Sequence, residues 1–313
     1  MNWLITGGAG YIGSHIAELF HQEGLNYYCY DNLSTGDPAR ISDSERLIVG
    51  DINDEFKLSS IIKELNISGV IHLAAKKSVE ESREKPILYE ETNFEATERM
   101  LQICSRSNVS HFIFSSTAAV YGESKSGFVS ENAELRPIST YGVTKLKAED
   151  ALNSYIGREL IQGVSLRYFN VIGQASAALK DNSSDNLVPR VLTAARQDSR
   201  PQIYGSDYPT PDKTCIRDYV DVRDIARLHL LLCRDIDGSK LPTALNVGTG
   251  VGVSVLDVMQ SIYSRMGLPL NPEFLPRREG DPATLVAEIG RMKEELGFFT
   301  KFDFESSIES LLQ

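Results

Sequence analysis

The sequence has little that would point outside ordinary globular proteins. No apolar run reaches the roughly 18 residues of a membrane span, and a strand-like segment follows Met1 directly, without the charged and apolar regions of a secretion signal. The formal net charge is -11, so the surface as a whole repels nucleic acid and anionic membranes. We therefore expect a cytoplasmic protein that binds neither nucleic acid nor a membrane.

Cysteine and proline are both scarce. Among 313 residues there are 4 cysteines and 12 prolines, and neither a linker, a repeat nor a low-complexity segment is visible. Cys29, Cys104, Cys215 and Cys233 lie in apolar or mixed stretches without metal-ligand spacing, where buried free thiols are the usual case. We therefore predict neither a disulfide nor a metal site.

Short β-rich runs alternate with longer helical patterns along the first half of the chain. The predicted strands cover residues 2–6, 27–30, 47–49, 70–73, 111–115, 164–167 and, later, 244–247. The predicted helices lie around residues 12–20, 58–65, 87–105, 145–156 and 222–233. Strand, helix and strand at this spacing indicate parallel pairing with helices on both faces. We predict an α/β fold with a Rossmann-type, doubly wound parallel sheet.

The composition changes after residue 170. Residues 173–215 are rich in Asp, Asn, Ser, Gly and Pro, which indicates loops and short elements over a cleft. Residues 253–313 mix a helix, a loop and a final helix. We expect a larger lobe of residues 1–167 plus about 215–250, interwoven with a smaller C-terminal substrate lobe of about 168–214 plus 251–313.

A glycine-rich loop joins the first predicted strand to the first helix. Gly7, Gly10 and Gly13 allow a sharp turn, a close approach of the backbone to a pyrophosphate, and tight packing of the helix on the sheet. Asp31 ends the next strand, where a carboxylate bonds the ribose hydroxyls of NAD and repels the 2'-phosphate of NADP. Together they predict NAD as the cofactor.

Two further segments fit the same end of the sheet. Asp51 follows the third strand, where it serves either the adenine of the cofactor or the N-cap of a helix, with nothing in the sequence to separate the two. Leu73, Ala74 and Ala75 end the fourth strand with small side chains, which permits a cofactor to come close.

A tyrosine and a lysine stand four residues apart, on one face of a predicted helix. An ammonium near Tyr141 stabilises its phenolate, so Lys145 would let Tyr141 abstract a hydroxyl proton while hydride leaves for NAD. The alternative is an exposed helix with a packing pair. The run Phe114–Thr117 favours the hypothesis that Tyr141 and Lys145 are catalytic. A hydroxyl at the end of that strand can share the proton of the substrate oxygen with the tyrosine.

Several segments, long enough to be specific, resemble the extended short-chain dehydrogenase/reductase superfamily and within it the UDP-glucose 4-epimerase family. They are residues 6–15, 31–34, 117–122, Tyr141 with Lys145, 167–170, 217–219 and 276–281. The resemblance runs nearly end to end. It implies an NAD-dependent 4-epimerase that acts on a UDP-hexose through a 4-keto sugar, and a homodimer formed by helices around 87–105 and 142–156.

The resemblance also implies residue roles. The catalytic residues would be Thr117, Tyr141 and Lys145. Cofactor contacts would come from Gly7, Gly10, Tyr11, Ile12, Gly13, Asp31, Asn32, Asp51, Ile52, Leu73, Ala74, Ala75, Lys77, Asn93, Ser115, Tyr141, Lys145 and Tyr168. The UDP-sugar would meet Lys77, Thr117, Tyr141, Asn170, Asn186, Leu187, Tyr204, Arg217, Arg278, Asp281 and Leu285. Arg217 and Arg278 would hold the diphosphate, which suits guanidinium geometry.

Other functions on the same fold are a related nucleotide-sugar reductase or dehydratase and a non-catalytic NAD-sensing protein. Sugar dehydratases of the superfamily carry Asp-Glu where this chain has Ala118 and Ala119, and sensing proteins usually lack the tyrosine or the lysine.

The resemblance also implies a position that decides which sugar fits. In the family, a large aromatic residue at the position of Leu285 favours plain hexoses, and a small residue there admits a 2-acetamido group. Leu285 is either that determinant or an ordinary core residue of a strand.

Overall fold

The computed structural model describes residues 1–124, 126–235, 241–278 and 280–313. The strands are β1 Asn2–Thr6, β2 Asn26–Asp31, β3 Leu47–Val49, β4 Ile67–His72, β5 His111–Thr117, β6 Phe128–Val129, β7 Gln162–Tyr168, β8 Asn170–Ile172, β9 Gln202–Tyr204, β10 Ile216–Asp221, β11 Ala244–Val247, β12 Gly252–Ser254, β13 Glu273–Leu275 and β14 Thr284–Ala287. The helices are α1 Tyr11–Gln22, α2 Glu55–Glu64, α3 Val79–Glu84, α4 Pro86–Tyr89, α5 Ala96–Arg106, α6 Thr140–Gly157, α7 Leu187–Arg196, α8 Val222–Asp235, α9 Val255–Arg265, α10 Gly290–Leu296 and α11 Phe304–Ser310.

The large sheet has the strand order β3-β2-β1-β4-β5-β7-β11, and all its neighbouring strands are parallel. The chain moves outward on one side of β1 and then returns to the other side at β4. The carboxyl ends of β1 and β4 therefore border a crevice where the strand order reverses, the usual place for a ligand in such sheets. The predicted doubly wound parallel sheet is confirmed.

Helices cover both faces of this sheet because its strands are apolar on both sides. On one face α1 packs against α8, with Ile16 and Phe20 among buried side chains that include Leu228. On the other face α2, α5 and α6 contribute a second buried cluster that contains Leu58 and Leu152.

A smaller sheet has the order β12-β10-β14-β6, and β8 also pairs with β10. Its strands come from distant parts of the chain: β6 precedes β7 of the large sheet, whereas β10 is followed by α8 and β11, which return to the large sheet. Met292 of α10 also packs into the core beside α1. The two lobes are thus interwoven, although their boundaries stay a prediction.

The helical stretch expected over residues 87–105 is confirmed, and it contains a π-helical segment that the sequence did not predict. The structure has α4, then a π-helical segment at Glu90–Glu95, and then α5. Asn93 lies inside the π-helical segment, and its amide bonds backbone atoms of Lys76 on the neighbouring loop. The wider turn places this side chain against the loop after β4, as π-bulges often do near functional sites.

The four cysteines are buried, as predicted for free thiols. Across the described ranges, no helix has the length and apolar character needed to cross a membrane. Within the same ranges, no group of three or more His, Cys, Asp or Glu side chains has an arrangement that could hold a metal ion.

Candidate active site

The glycine loop forms a tight cradle at the carboxyl end of β1. Gly7 has a φ of +71°, and a Cβ there would lie 2.8 Å from the amide nitrogen of Ala74 on the neighbouring loop. A Cβ at Gly13 would lie 2.3 Å from the carbonyl oxygen of Gly7. Gly10 caps the N-terminus of α1, and its own N–H bonds the Gly7 carbonyl at 3.1 Å. Only glycine fits this cradle, which leaves the N-terminus of α1 open to a pyrophosphate.

Asp31 lies where a dinucleotide ribose would be bound. It is the last residue of β2, is buried, and accepts the N–H groups of Ala9 at 3.0 Å and Leu33 at 2.8 Å. These two bonds fix the carboxylate beside the glycine loop, and each oxygen keeps a further lone pair for a ribose hydroxyl. The loop and the acid together fit NAD.

Asn32, Asp51 and Ile52 stand together at the neighbouring strand ends. The Asn32 amide donates to Asp51 Oδ2 at 2.7 Å, and Ile52 is buried in the core below. Burial opposes ionisation of Asp51, but the bonds from Asn32 and Asn53 outweigh it and hold its pKa below the ordinary value. The N-cap of α2 is Asp54 instead, so the capping alternative for Asp51 is wrong.

The loop after β4 closes the other side of the crevice. The N–H of Leu73 bonds the carbonyl of Thr6 at 3.1 Å, which ties this loop to β1. Asn93 is buried and bonds the backbone N–H and carbonyl of Lys76 at 2.8 and 2.9 Å. It therefore shapes the loop that carries Ala74, Ala75 and Lys77. Lys77 itself is exposed.

Thr117, Tyr141 and Lys145 come together between β5 and α6. Ser139 caps α6 by accepting the N–H of Gly142 at 3.1 Å, which starts the helix just before Tyr141. Thr117 lies near the Tyr141 hydroxyl, where it acts to lower the pKa of the phenol. Lys145 is buried at 3% exposure and donates from Nζ to the Ser115 carbonyl at 2.7 Å. The predicted catalytic group is thus assembled, although its roles are not tested by the geometry alone.

The electrostatics of this group follow from its burial. Desolvation raises the pKa of Tyr141 to about 12, and Thr117 opposes that rise. Desolvation also lowers the pKa of Lys145 to about 7, which Glu149 partly offsets. A base with a pKa near 12 needs a nearby cation to work at neutral pH, so the protonation of Lys145 matters for what the site can do.

Tyr168 and Ser115 form the floor beside this group. Tyr168 ends β7, and its hydroxyl lies 3.1 Å from Nε2 of His229. Nδ1 of His229 lies 2.9 Å from the Ile225 carbonyl, so the neutral ring donates there and accepts from Tyr168 at Nε2. Burial raises the pKa of Tyr168, while a bond with Ser115 opposes the rise.

A cavity of about 850 Å³ opens between the glycine loop and the smaller lobe. Its wall includes Tyr11, Leu187, Tyr204 and Arg278, which the sequence had assigned partly to the cofactor and partly to the UDP-sugar. The Arg278 guanidinium stacks 4.0 Å from the centre of the Tyr204 ring. The described wall contains none of Thr117, Tyr141 and Lys145, and the cavity is large enough for a nucleotide.

Four other predicted substrate contacts, Asn170, Asn186, Arg217 and Asp281, are not part of the described wall of this cavity. Arg217 on β10 and Asp281 form an ion pair with each other. Arg217 also donates to the Ile216 carbonyl at 2.8 Å. Asn186 caps the start of α7 and bonds Asp181 at 2.5 Å, while Asn170 of β8 is exposed. The structure therefore brings Arg217 and Asp281 together, a pairing that the sequence did not predict.

Leu285 lies on β14, in register with Arg217 of β10. It is 9% exposed and belongs to a buried cluster with Ala118 and Phe169. Ala118 directly follows Thr117, so the cluster backs the catalytic group. Both interpretations of Leu285, core residue and sugar-pocket wall, remain compatible with this position.

Sequence reasoning missed three charged residues at the cavity. Arg190 lines it and donates from Nη2 to Gln202 Oε1 at 2.9 Å and to the Tyr204 hydroxyl at 3.2 Å. Glu80 of α3 pairs with Arg278 at 3.2 Å across the cleft, and buried Arg40 bonds the Lys180 carbonyl at 2.7 Å. Arg190 follows Leu187 by three residues, a helical spacing that would have indicated the same face.

This arrangement defines an NAD-dependent enzyme of the dehydrogenase-like class, and comparison with known proteins agrees. Residues 3–248 match the model of the NAD dependent epimerase/dehydratase family, which is more than half of the chain. The chain belongs to this family. The resemblance drawn from the sequence motifs is confirmed, and so is NAD as the cofactor.

The relatives are similar over nearly the whole chain. The UDP-glucose 4-epimerase of Corynebacterium glutamicum is 38% identical over 301 residues, which cover 95% of this chain and 90% of that protein. The crystal structure of UDP-glucose 4-epimerase from Brucella ovis in complex with NAD is 37% identical with a TM-score of 0.92, over 99% of this chain and 96% of that one. The UDP-Glc/GlcNAc 4-epimerase of Campylobacter jejuni is 32% identical with a TM-score of 0.85, over 99% of this chain and 97% of that one.

Proposed function

We propose that the protein is an NAD-dependent UDP-hexose 4-epimerase that interconverts UDP-glucose and UDP-galactose through a 4-keto sugar. The observation that carries the proposal is the grouping of Thr117, Tyr141 and Lys145 between β5 and α6, at the same edge of the large sheet as the glycine cradle. A cavity of nucleotide size, lined by Tyr204 and Arg278, adds room for the UDP half of the substrate. The named relatives, all 4-epimerases, support the same reaction.

The glycine loop and Asp31 would hold NAD, which would supply the chemistry of reversible hydride acceptance for oxidation and reduction at C4. Tyr141 then holds and moves the proton of the O4 hydroxyl. Thr117 and the Lys145 ammonium both favour the phenolate form of Tyr141. Ala118 and Ala119 provide no acid or base for loss of water, which is why dehydration is not the proposed reaction.

The nucleotide half of the substrate is held by the smaller lobe. We assign the uracil to the Tyr204 side of the cavity, the diphosphate to Arg217 and Arg278, and the uridine ribose to Asp281. Arg278 pairs with Glu80, and Arg217 pairs with Asp281. A diphosphate would offer both guanidiniums stronger, bidentate partners. Firm binding of the nucleotide leaves the hexose free to present either face at C4.

The sugar preference depends on Leu285 in this proposal. Leucine is shorter than tyrosine and has no hydroxyl, and its cluster backs Thr117 through Ala118. We therefore expect UDP-glucose and UDP-galactose to be converted well and the N-acetylated pair more slowly.

The proposed homodimer involves α4, the π-helical segment and α6. Ile87 of α4 is 73% exposed and Val143 of α6 is 37% exposed, and an apolar contact would cover them. Light scattering of the purified protein tests this part, and a monomer across micromolar concentrations would contradict it.

The reaction itself is tested by incubating purified protein with single UDP-sugars, without added NAD, and resolving products by NMR. The expected result is a mixture of UDP-glucose and UDP-galactose reached from either side. A net oxidised, reduced or dehydrated product would contradict the proposal.

A further inference from the structure

A buried carboxylate lies one helical turn beyond Lys145 and has no part in the mechanism above. Glu149 is 1% exposed and follows Tyr141 and Lys145 at four-residue spacing on α6, so the three side chains share one face. The Ser116 hydroxyl donates to Glu149 Oε1. Arg167 donates from Nε to Oε1 at 3.0 Å and from Nη2 to Oε2 at 2.7 Å.

This ion pair is not explained by stability. Arg167 is 4% exposed, so both charges are withdrawn from water. Desolvating two such groups usually costs as much as their attraction returns, and apolar residues of similar size often serve a core as well. A buried pair at this place therefore needs another reason, and the nearest functional group is Lys145.

Lys145 lies in a buried position, where desolvation opposes the positive charge of its ammonium group. Its Nζ lies 4.7 Å from the centre of the Phe114 ring and bonds the Ser115 carbonyl, and both contacts favour the ammonium. Burial still lowers the pKa of Lys145 to about 7, and Glu149 is the charged group that raises it.

The other titratable groups around this lysine do not supply a negative charge. His72 of β4 is buried, and burial, then Lys145, lowers its pKa to about 3, so it is neutral. Tyr168 of β7 is buried with a raised pKa and is also neutral. Tyr141 is the group to be ionised, and Arg167 is a cation. Glu149 is thus the carboxylate that acts on Lys145.

We propose that Glu149 is a positioning residue whose carboxylate, fixed by Arg167 and Ser116, keeps Lys145 protonated beside Tyr141. The inference rests on the proposed epimerase function, in which the phenolate of Tyr141 and the ammonium of Lys145 form the reactive pair. Because Glu149 is one turn from Lys145 and two turns from Tyr141, its charge stabilises the lysine cation more than it opposes the phenolate.

The test is the pH dependence of kcat in Glu149→Gln, which keeps the shape of the side chain and removes its charge. Without the carboxylate, Arg167 is left unpaired and Lys145 loses its proton more readily. The high-pH limb of kcat should move to lower pH by about one unit, with about tenfold lower kcat at pH 8 and a nearly unchanged KM for UDP-galactose. A profile that keeps its high-pH limb in the folded variant would overturn the proposal.

Two matched variants separate charge from packing. Glu149→Asp keeps the charge, so its profile should match the native one even if its melting temperature falls. The double variant Glu149→Gln with Arg167→Met removes both charges and should move the limb less than Glu149→Gln alone. An acid shift in Glu149→Asp would overturn the proposal even if the glutamine variant does not fold. Absence of epimerisation in the native protein would instead refute the proposed function.

Discussion

Replacing Tyr141 by phenylalanine removes a single oxygen from the proposed base. That oxygen lies near Thr117 in a buried site, and desolvation there raises the pKa of Tyr141 to about 12. A pH of 8 lies about four units below the pKa of this phenol. Ionising it at that pH therefore costs roughly 5 kcal/mol, which the Lys145 ammonium and the positive nicotinamide must offset. A phenylalanine cannot carry the proton at all, so no such compensation is available to it.

We expect Tyr141→Phe to lower kcat by roughly 10²–10⁴-fold, the usual contribution of a positioned acid–base group. The ring remains, so the melting temperature and the affinity for UDP should change little. The assay is conversion of UDP-galactose to UDP-glucose, with bound NAD quantified in each preparation.

Tyr155→Phe is the matched control, since Tyr155 lies on the same helix α6 and packs at the edge of its apolar face. It should keep native turnover. Full activity in Tyr141→Phe, with Tyr155→Phe equally active, would refute the assignment of the base.

Three further predictions concern cofactor choice, sugar choice and acid stability. Because the fixed Asp31 carboxylate would face a 2'-phosphate, apo protein should reconstitute poorly with NADP; equal reconstitution with NADP would contradict its role. Leu285→Tyr should lower kcat/KM for the N-acetylated pair by roughly 10–200-fold and leave kcat/KM for the plain pair unchanged. An equal loss for both pairs would mean that Leu285 does not set the preference, and so would a native protein that does not convert acetamido sugars. Burial lowers the pKa of His15, His72 and His229 to about 4, 3 and 4. The unfolded chain therefore binds these protons first as pH falls below about 6.5, and the free energy of unfolding should drop by about 2 kcal/mol per histidine at pH 5; urea unfolding that is unchanged between pH 7.5 and 5 would contradict this.

The large sheet was predictable because its strands are local apolar runs, several of which are followed by a helical pattern. The glycine loop and Asp31 were placed correctly for the same reason, since strand, loop and helix are contiguous in sequence. The smaller sheet was not predicted: β10 pairs with β14 and β12, which are far away in sequence, so no local pattern reveals the partners.

The candidate site shows the same division. The four-residue spacing of Tyr141 and Lys145 was readable, and Glu149 continues that spacing. What could not be predicted from the sequence was that Arg167, on β7, forms an ion pair with Glu149, because that contact depends on how α6 packs against the sheet. For Asp51 the structure excludes only the N-cap alternative, because Asp54 caps α2, and the contact of Asp51 with the adenine stays a prediction.

The central claim is that C4 is oxidised and then reduced within one active site. UDP-galactose carrying deuterium at C4 tests it directly, with NMR of the UDP-glucose formed in ordinary water without added NAD. The account predicts that the deuterium is retained at C4 of the product, because the hydride returns to the carbon it left. Loss of deuterium to solvent would contradict the account, since it would require inversion by proton exchange at C4.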